Sequence, residues 1–358
     1  MFDRRVMKSL VSTAYQLQEL RIQSGLRVVG NAKIKLGQEP GTKEEDLDNT
    51  AQDILSQVRA SHDRISDALG YRAIRKGVTF PGDGLLTDKA EYALAQTYFM
   101  LLDREEATFK LFDTIVESHP MGPWFDSVRG VGSAIAAIML SQIDMDRTPN
   151  LGNLYAYCGL DVVIAEKKDE ETGEVQLVGE ARSRKAHHLV ERQYVDKKGK
   201  EASRKSITYN EFLHTKLLGV AADCLIKGSG YFKSEVYNKY KFRLLNMPEH
   251  KRKGEAHIEM MTRRYMIKIF VMYFYEEYMR VLGREMPPLY HEKKLRLYHT
   301  GPLFKGDVKR SADDVARDRE AAEKLKEVSL QRKAERAAEE KLVIAGRKVT
   351  KESPRSNV

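Results

Sequence analysis

Across the first 120 residues apolar side chains return every three or four positions over very long stretches, a spacing that only helix satisfies. Val6, Leu10, Ala14, Leu17, Leu20 and Val28 follow this spacing, which predicts one helix over residues 3–36 with Gly37 after it. Beyond a polar, acidic linker, QEPGTKEEDLD, a second stripe of Ile54, Leu55, Val58, Ile65 and Leu69 predicts a helix over roughly 46–69. Two such helices with a short connection are expected to pack as an antiparallel hairpin. The turn-rich segment GVTFPGDGLLT leads to a third helix, capped by Thr87 or Asp88 and running to about Ser118. His119–Pro120 and Gly122–Pro123 break it. An α/β nuclease core needs apolar strands, and none lies in this region.

From Trp124 the texture changes. Val128–Gly132 (VRGVG) precedes the small and apolar run Ser133–Ile143, and residues 150–158 read as a short helix ending at Gly159. Between 161 and 200 the turn signals DEETGE and DKKGK separate short β-capable pieces (VVIAE, VQLVG, RQYV), which predicts one or two hairpins. Helix returns at about 210–227, 231–246 and 254–282. The run Tyr265–Tyr275 is almost wholly apolar, but at 11 residues interrupted by Lys268 it is a core helix, since a span needs about 20. The last 45 residues, rich in Ala, Lys, Arg and Glu, read as a solvated helix fading into a disordered end. The expected fold class is mainly α: a helical N-terminal region (1–120), a helix-hairpin-helix core with a small β-hairpin insert (121–300), and a charged helical tail (301–358).

Composition narrows the function. Two cysteines, Cys158 and Cys224, exclude a disulfide scaffold and every multi-cysteine zinc module, and both are expected to be buried apolar residues. Nine scattered histidines show no carboxylate-spaced partner, so the sequence carries no metal-site signature and names no cofactor. The opening MFDRRVMKSL has no apolar export segment, which predicts a cytoplasmic protein with no membrane association. The net charge is +9 and is concentrated in one block. Residues 181–300 hold 26 basic against 13 acidic side chains, whereas residues 1–180 hold 20 against 28. A block of this kind suits a polyanion, which points to DNA through its phosphate backbone.

Val128, Arg129, Gly130, Val131 and Gly132 followed by an Ala-rich helix have the form of a helix-hairpin-helix. Glycines permit the sharp turn, and amides at the second helix's start can hold a phosphate oxygen. Arg129, Gly130, Val131, Gly132 and Ser133 are therefore candidate DNA contacts, giving affinity without base specificity. An ordinary helical turn is the alternative. The segment VRGVGSAIAAIMLSQID followed by LYAYCGLD resembles the C-terminal domain of insertion-sequence transposases of the IS-one-ten/IS-one-sixteen type. The likeness continues through GEARSRKAHH and SITYNEFLHTKLLGVAAD, and more loosely through the later helices, covering roughly residues 120–285. It implies DNA transposition or recombination through a serine-bearing loop. Full members begin with a ribonuclease-H-like domain opening on an apolar strand and an early Asp. Residues 1–120 lack that pattern, and the family's Ser-Gly is Ser183-Arg184 here. A guide RNA or a ribonuclease-H-like partner protein is thus the implied source of the missing chemistry.

Ser183 is the candidate nucleophile. Arg182, Arg184 and Lys185 would stabilise charge on an attacked phosphate, and His187 or His188 would accept the proton. A solvated basic loop is the competing reading, and Ser206 is the second choice of nucleophile. Lys197, Lys198, Lys200, Arg204 and Lys205 surround a turn and are expected to track DNA backbone, with Tyr194 and Tyr209 able to stack on bases. Arg263, Arg264 and Lys268 form either a further basic face or a salt-bridged helix surface. Two rival functions stay open: a binding-only descendant of a transposase, and a structural protein assembling as a homo-oligomer through its long helices.

Overall fold

The computed structural model describes residues 3–37, 48–70, 79–168, 175–251, 253–287, 306–307 and 312–351. The acidic linker at 38–47, the DEETGE turn at 169–174 and the chain after 351 lie outside them. The protein is mainly α, and the described residues hold two small two-stranded sheets among the helices. It divides into two compact units at His119/Pro120.

The first unit is built on α1 (Arg4–Lys35), α2 (Asn49–Ala68) and α3 (Lys89–Glu117). Each begins on an aspartate whose carboxylate takes up orphan amides: Asp3 accepts from Arg5, Asp48 from Ala51, and Asp88 from Ala90 and Glu91. The stripe expected on α2 is buried throughout. On α1 the buried face is Met7, Val11, Ala14, Val28 and Val29, while Val6 and Leu20 are exposed. Two adjacent apolar stripes satisfy the helical spacing there, and packing along α3 and α2 selects one.

The second unit opens with α4 (Gly122–Ser127) and α5 (Ser133–Gln142), joined by the five-residue turn Val128–Gly132. Eight of α5's ten residues, Ile135–Gln142, are buried. After α6 (Leu151–Tyr157) come two antiparallel hairpins, β1 (Val162–Lys168) with β2 (Val175–Ala181), and β3 (Val190–Val195) with β4 (Glu201–Ser206). Next are α7 (Glu211–Thr215), a π-helical stretch (Lys216–Ala221) and α8 (Ala222–Gly228). A second π-helical stretch (Phe232–Asn238) runs into α9 (Lys239–Asn246). The long α10 (Glu255–Val281) is the axis of this unit, with Phe270, Val271, Phe274 and Tyr275 fully buried and Trp124 stacked on Phe270 at 5.7 Å. The apolar run is thus a core helix, and among the described residues no helix is long and apolar enough to cross a membrane.

The tail is less solvated than its composition suggested. Leu325 and Val328 of α11 (Ala312–Lys351) pack on the cluster of Leu244, Leu245 and Ile258, and buried Arg332 donates to the Leu245 carbonyl. A few well-spaced apolar positions suffice to dock a charged helix.

Candidate active site

The hairpin turn owes its shape to glycine. Gly130 has φ +89, and a Cβ there would lie 2.2 Å from the Cys224 carbonyl oxygen on α8. Its reason for being glycine is therefore close packing against another helix. Gly132, in contrast, faces open space and caps α5 with extended backbone. The turn's anion is supplied internally, since Asp307 accepts from the amides of Arg129 (2.8 Å) and Tyr231 (2.6 Å). Among the described residues the amides of Gly132, Ser133 and Ala134 have no acceptor, as is usual in the first turn of a helix.

Ser183 sits on the link between the two hairpins, half-buried, in a turn closed by the His188 amide donating to the Lys185 carbonyl at 2.8 Å. That turn folds the His188 ring back onto the serine. Ser183 Oγ lies 2.9 Å from His188 Nδ1, and the Ser183 amide also donates to Nδ1 at 3.0 Å. A ring nitrogen that receives an amide N–H carries a lone pair, so neutral His188 holds its proton on Nε2. The Lys185 amide donates to Ser183 Oγ at 3.3 Å, which leaves the hydroxyl proton to point at Nδ1. His188 is buried, and burial first and the neighbouring His187 second hold its imidazole below the ordinary value, hence neutral. Its Nε2 has no hydrogen-bond partner and faces Glu180 Oε2 at 3.7 Å. The order serine, imidazole, carboxylate is that of an activated nucleophile with the ring's two nitrogens exchanged.

The loop is anchored from below. The Arg182 guanidinium grips Asp161 through two bonds of 2.7 Å and donates to Thr208 at 2.8 Å. Half-buried Arg264 of α10 donates to the carbonyls of Gly159 and Asp161. Gly159, in the left-handed region at φ +66, lets the Tyr209 ring and His214 close over it, where a Cβ would meet both below 3 Å. Arg182 is therefore a positioning residue, with Nε, Nη1 and Nη2 each donating within the protein, where the sequence reading set it against a phosphate. Arg184 pairs with Glu211 and Lys185 with Glu180; Arg184 and Lys185 are both largely exposed. Such pairs are weak and can exchange a carboxylate for a phosphate. His187, the other candidate base, instead places Nε2 3.2 Å from Glu180 Oε2.

Glu180, His187 and His188 bring one ligand atom each within 4.8 Å of one another, a meeting that spacing along the chain did not show. Tetrahedral zinc with bonds of about 2.0–2.1 Å needs donor separations of roughly 3.3 Å, so the distances are near those of a metal site. The chemistry is not. His188 offers Glu180 an N–H instead of a lone pair, and the Lys185 ammonium already sits 2.6 Å from the same carboxylate. The cluster suits proton handling better than a cation.

The other expected contacts separate. Lys197, Lys198 and Lys200 are exposed in the turn joining β3 to β4, with Arg204 and Lys205 on opposite faces of β4. Tyr209 packs on His214 and is not free to stack on a base. Ser206 ends β4, its hydroxyl on the Val190 carbonyl. Arg263 bridges Glu259 and Asp223, a salt-bridged helix surface, and the Lys268 ammonium lies over the Tyr155 ring. Cys158 is buried and Cys224 half-buried. Glu180 and Asn210 were missed by sequence reasoning. Asn210 caps α7 while its amide donates to Gln142 and Tyr157, tying three elements behind the loop. No family model, curated protein or solved structure matches the chain.

Proposed function

We propose that this is a transposase-like DNA-binding protein that acts in strand transfer or recombination with Ser183 as nucleophile. The observation that carries the reading is the 2.9 Å contact of Ser183 Oγ with His188 Nδ1, a nitrogen kept as an acceptor by the serine's own amide. In the proposed step Oγ attacks a DNA phosphorus as its proton passes to His188. The Oγ–P bond forms, one sugar-oxygen–P bond breaks, and the departing sugar oxygen takes the proton from the imidazolium. Arg184 and Lys185, released from Glu211 and Glu180, stabilise the charge that develops. The resemblance adds a ribonuclease-H-like partner protein, as the source of acidic residues, or a guide RNA; the opening MFDRRVMKSL, without an export segment, adds a cytoplasmic site of action.

The test is a denaturant-resistant adduct between the full chain and labelled DNA, with and without such partners. Ser183→Ala is expected to abolish it and His188→Gln to reduce it about 100-fold or more, the usual scale of general-base loss. Binding should stay nearly unchanged in both. An adduct that survives Ser183→Ala removes Ser183 as nucleophile. Binding without any adduct in wild type, whatever partner is added, leaves the binding-only reading.

A further inference from the structure

The second hairpin sorts its charges by face. β3 and β4 pair with Arg192 opposite Arg204 and Tyr194 opposite Ala202. Side chains alternate along a strand, so these four share one face with Val190 and Ser206 and with no acidic residue. The opposite face holds Glu191, Glu201 and Lys205, and there Ser203 donates to Glu191 at 2.6 Å. Two guanidiniums directly across a strand pair repel one another, and among the described residues neither has an ion-pair partner. Arg204 lies over the Tyr194 ring at 5.4 Å, which holds its guanidinium across the face. Every residue of β3 is exposed, as is Arg204, whereas Ala202 and Ser206 on the same face of β4 are half-buried. At the tip Asp196 Oδ1 accepts from the amides of Lys198 and Lys200, and among the described residues the ammonium groups of Lys197, Lys198 and Lys200 form no ion pair.

We infer that the β3–β4 ribbon enters the major groove of duplex DNA with the Arg192, Arg204 and Tyr194 face toward the base edges. The tip lysines then rest on phosphates. This rests on the DNA reading above and adds to it a means of choosing sequence, which the helical hairpin lacks. The fit is dimensional as well as electrostatic. Six residue pairs at about 3.3 Å span roughly 20 Å, near six base pairs at about 3.4 Å each. The B-form major groove, about 12 Å wide, admits a two-stranded ribbon, whereas the A-form groove of duplex RNA is too deep and narrow. Arginine forks match the O6 and N7 acceptors of guanine, so a guanine-containing site is the expected ligand.

The experiment uses the full chain, a binding site selected from random duplexes, and guanine-N7 methylation footprinting, with circular dichroism to verify folding of each variant. Wild type should protect guanines over about six base pairs. Arg192→Ala with Arg204→Ala should erase that protection and weaken the selected site at least about ten-fold more than random duplex. The doubly conservative change, Arg192→Lys with Arg204→Lys, keeps charge and should hold affinity for random duplex while losing the preference. Replacing Lys197, Lys198 and Lys200 by alanine should weaken all sequences alike and flatten the salt slope by about 2–3. An unaltered footprint in the arginine double variant overturns the ribbon and leaves DNA binding standing. Tighter binding to duplex RNA overturns it too. If wild type binds no nucleic acid, the ribbon and the underlying function fall together.

Discussion

Ser183 meets its base through a turn of only six residues, so the pairing depends on local hydrogen bonds more than on distant packing. The lowered His188 value fixes a pH dependence. Free histidine titrates near 6.5, and burial keeps this ring neutral below that point. Adduct formation should therefore persist as pH falls past 6.5 and fail only as it drops through the lower folded value. Stability follows the same sign: the contribution of neutral His188 is complete above 6.5 and is lost as pH falls through the folded value. A rate profile that breaks above 6.5 contradicts this. Arg182 gives the contrasting case. Arg182→Ala leaves Asp161 without its bidentate partner and should cost about 2 kcal/mol in thermal or urea unfolding. Its effect on salt-dependent DNA affinity should be small; a large drop in affinity with unchanged stability would return Arg182 to the phosphate.

At the scale of elements, the two glycines of the hairpin turn have different jobs. Gly130→Ala forces a non-glycine residue into positive φ and drives its Cβ into the Cys224 carbonyl, so it should lower stability by about 2–3 kcal/mol. Gly132→Ala meets nothing and should leave the melting temperature within a degree or two of wild type. If Gly132→Val also leaves DNA affinity intact, the head of α5 is a plain helical start and holds no phosphate. Glu259 on α10 is a further element-level probe. It accepts from Tyr237, Lys241 and Arg263, and these bonds hold its carboxyl at about 2, far below 4.5, against an opposing effect of burial. Its stabilisation is present above pH 4.5 and is lost as pH falls toward 2, so Glu259→Gln should flatten the acid limb of the stability curve.

On the scale of the whole molecule, charge divides as the units do. Residues 1–119 carry 16 basic and 18 acidic side chains, and residues 120–358 carry 45 and 34. The DNA affinity of the full chain should therefore reside in the second unit. With about six phosphate contacts, log affinity should fall against log salt with a slope near −5. A salt-independent affinity, measured by anisotropy from about 50 to 200 mM salt, excludes a backbone-driven interface.

Much was legible before any coordinates. Apolar recurrence marked α1 and α2, because a 3.6-residue period leaves its imprint whatever the neighbours are, while a capping residue marked the start of α3 and an unbroken apolar run marked α10. Turn residues around DKKGK marked the second hairpin, since Asp196 and Gly199 close a turn by local chemistry. Clustering also singled out Ser183 and its histidines. Packing decided the rest. It chose which stripe of α1 is buried and docked the charged tail through Leu325 and Val328. It also committed Arg182 to Asp161, 21 residues away in sequence. The turn after β2 folded His187 and His188 back beside Glu180, which precedes them by seven and eight residues. A linear chain specifies its own periodicities and turns, which depend on neighbours a few bonds away. The partner of a given charge, the nitrogen of an imidazole that keeps its lone pair, and the face on which an arginine emerges depend on register and burial, and those exist only once distant segments have met.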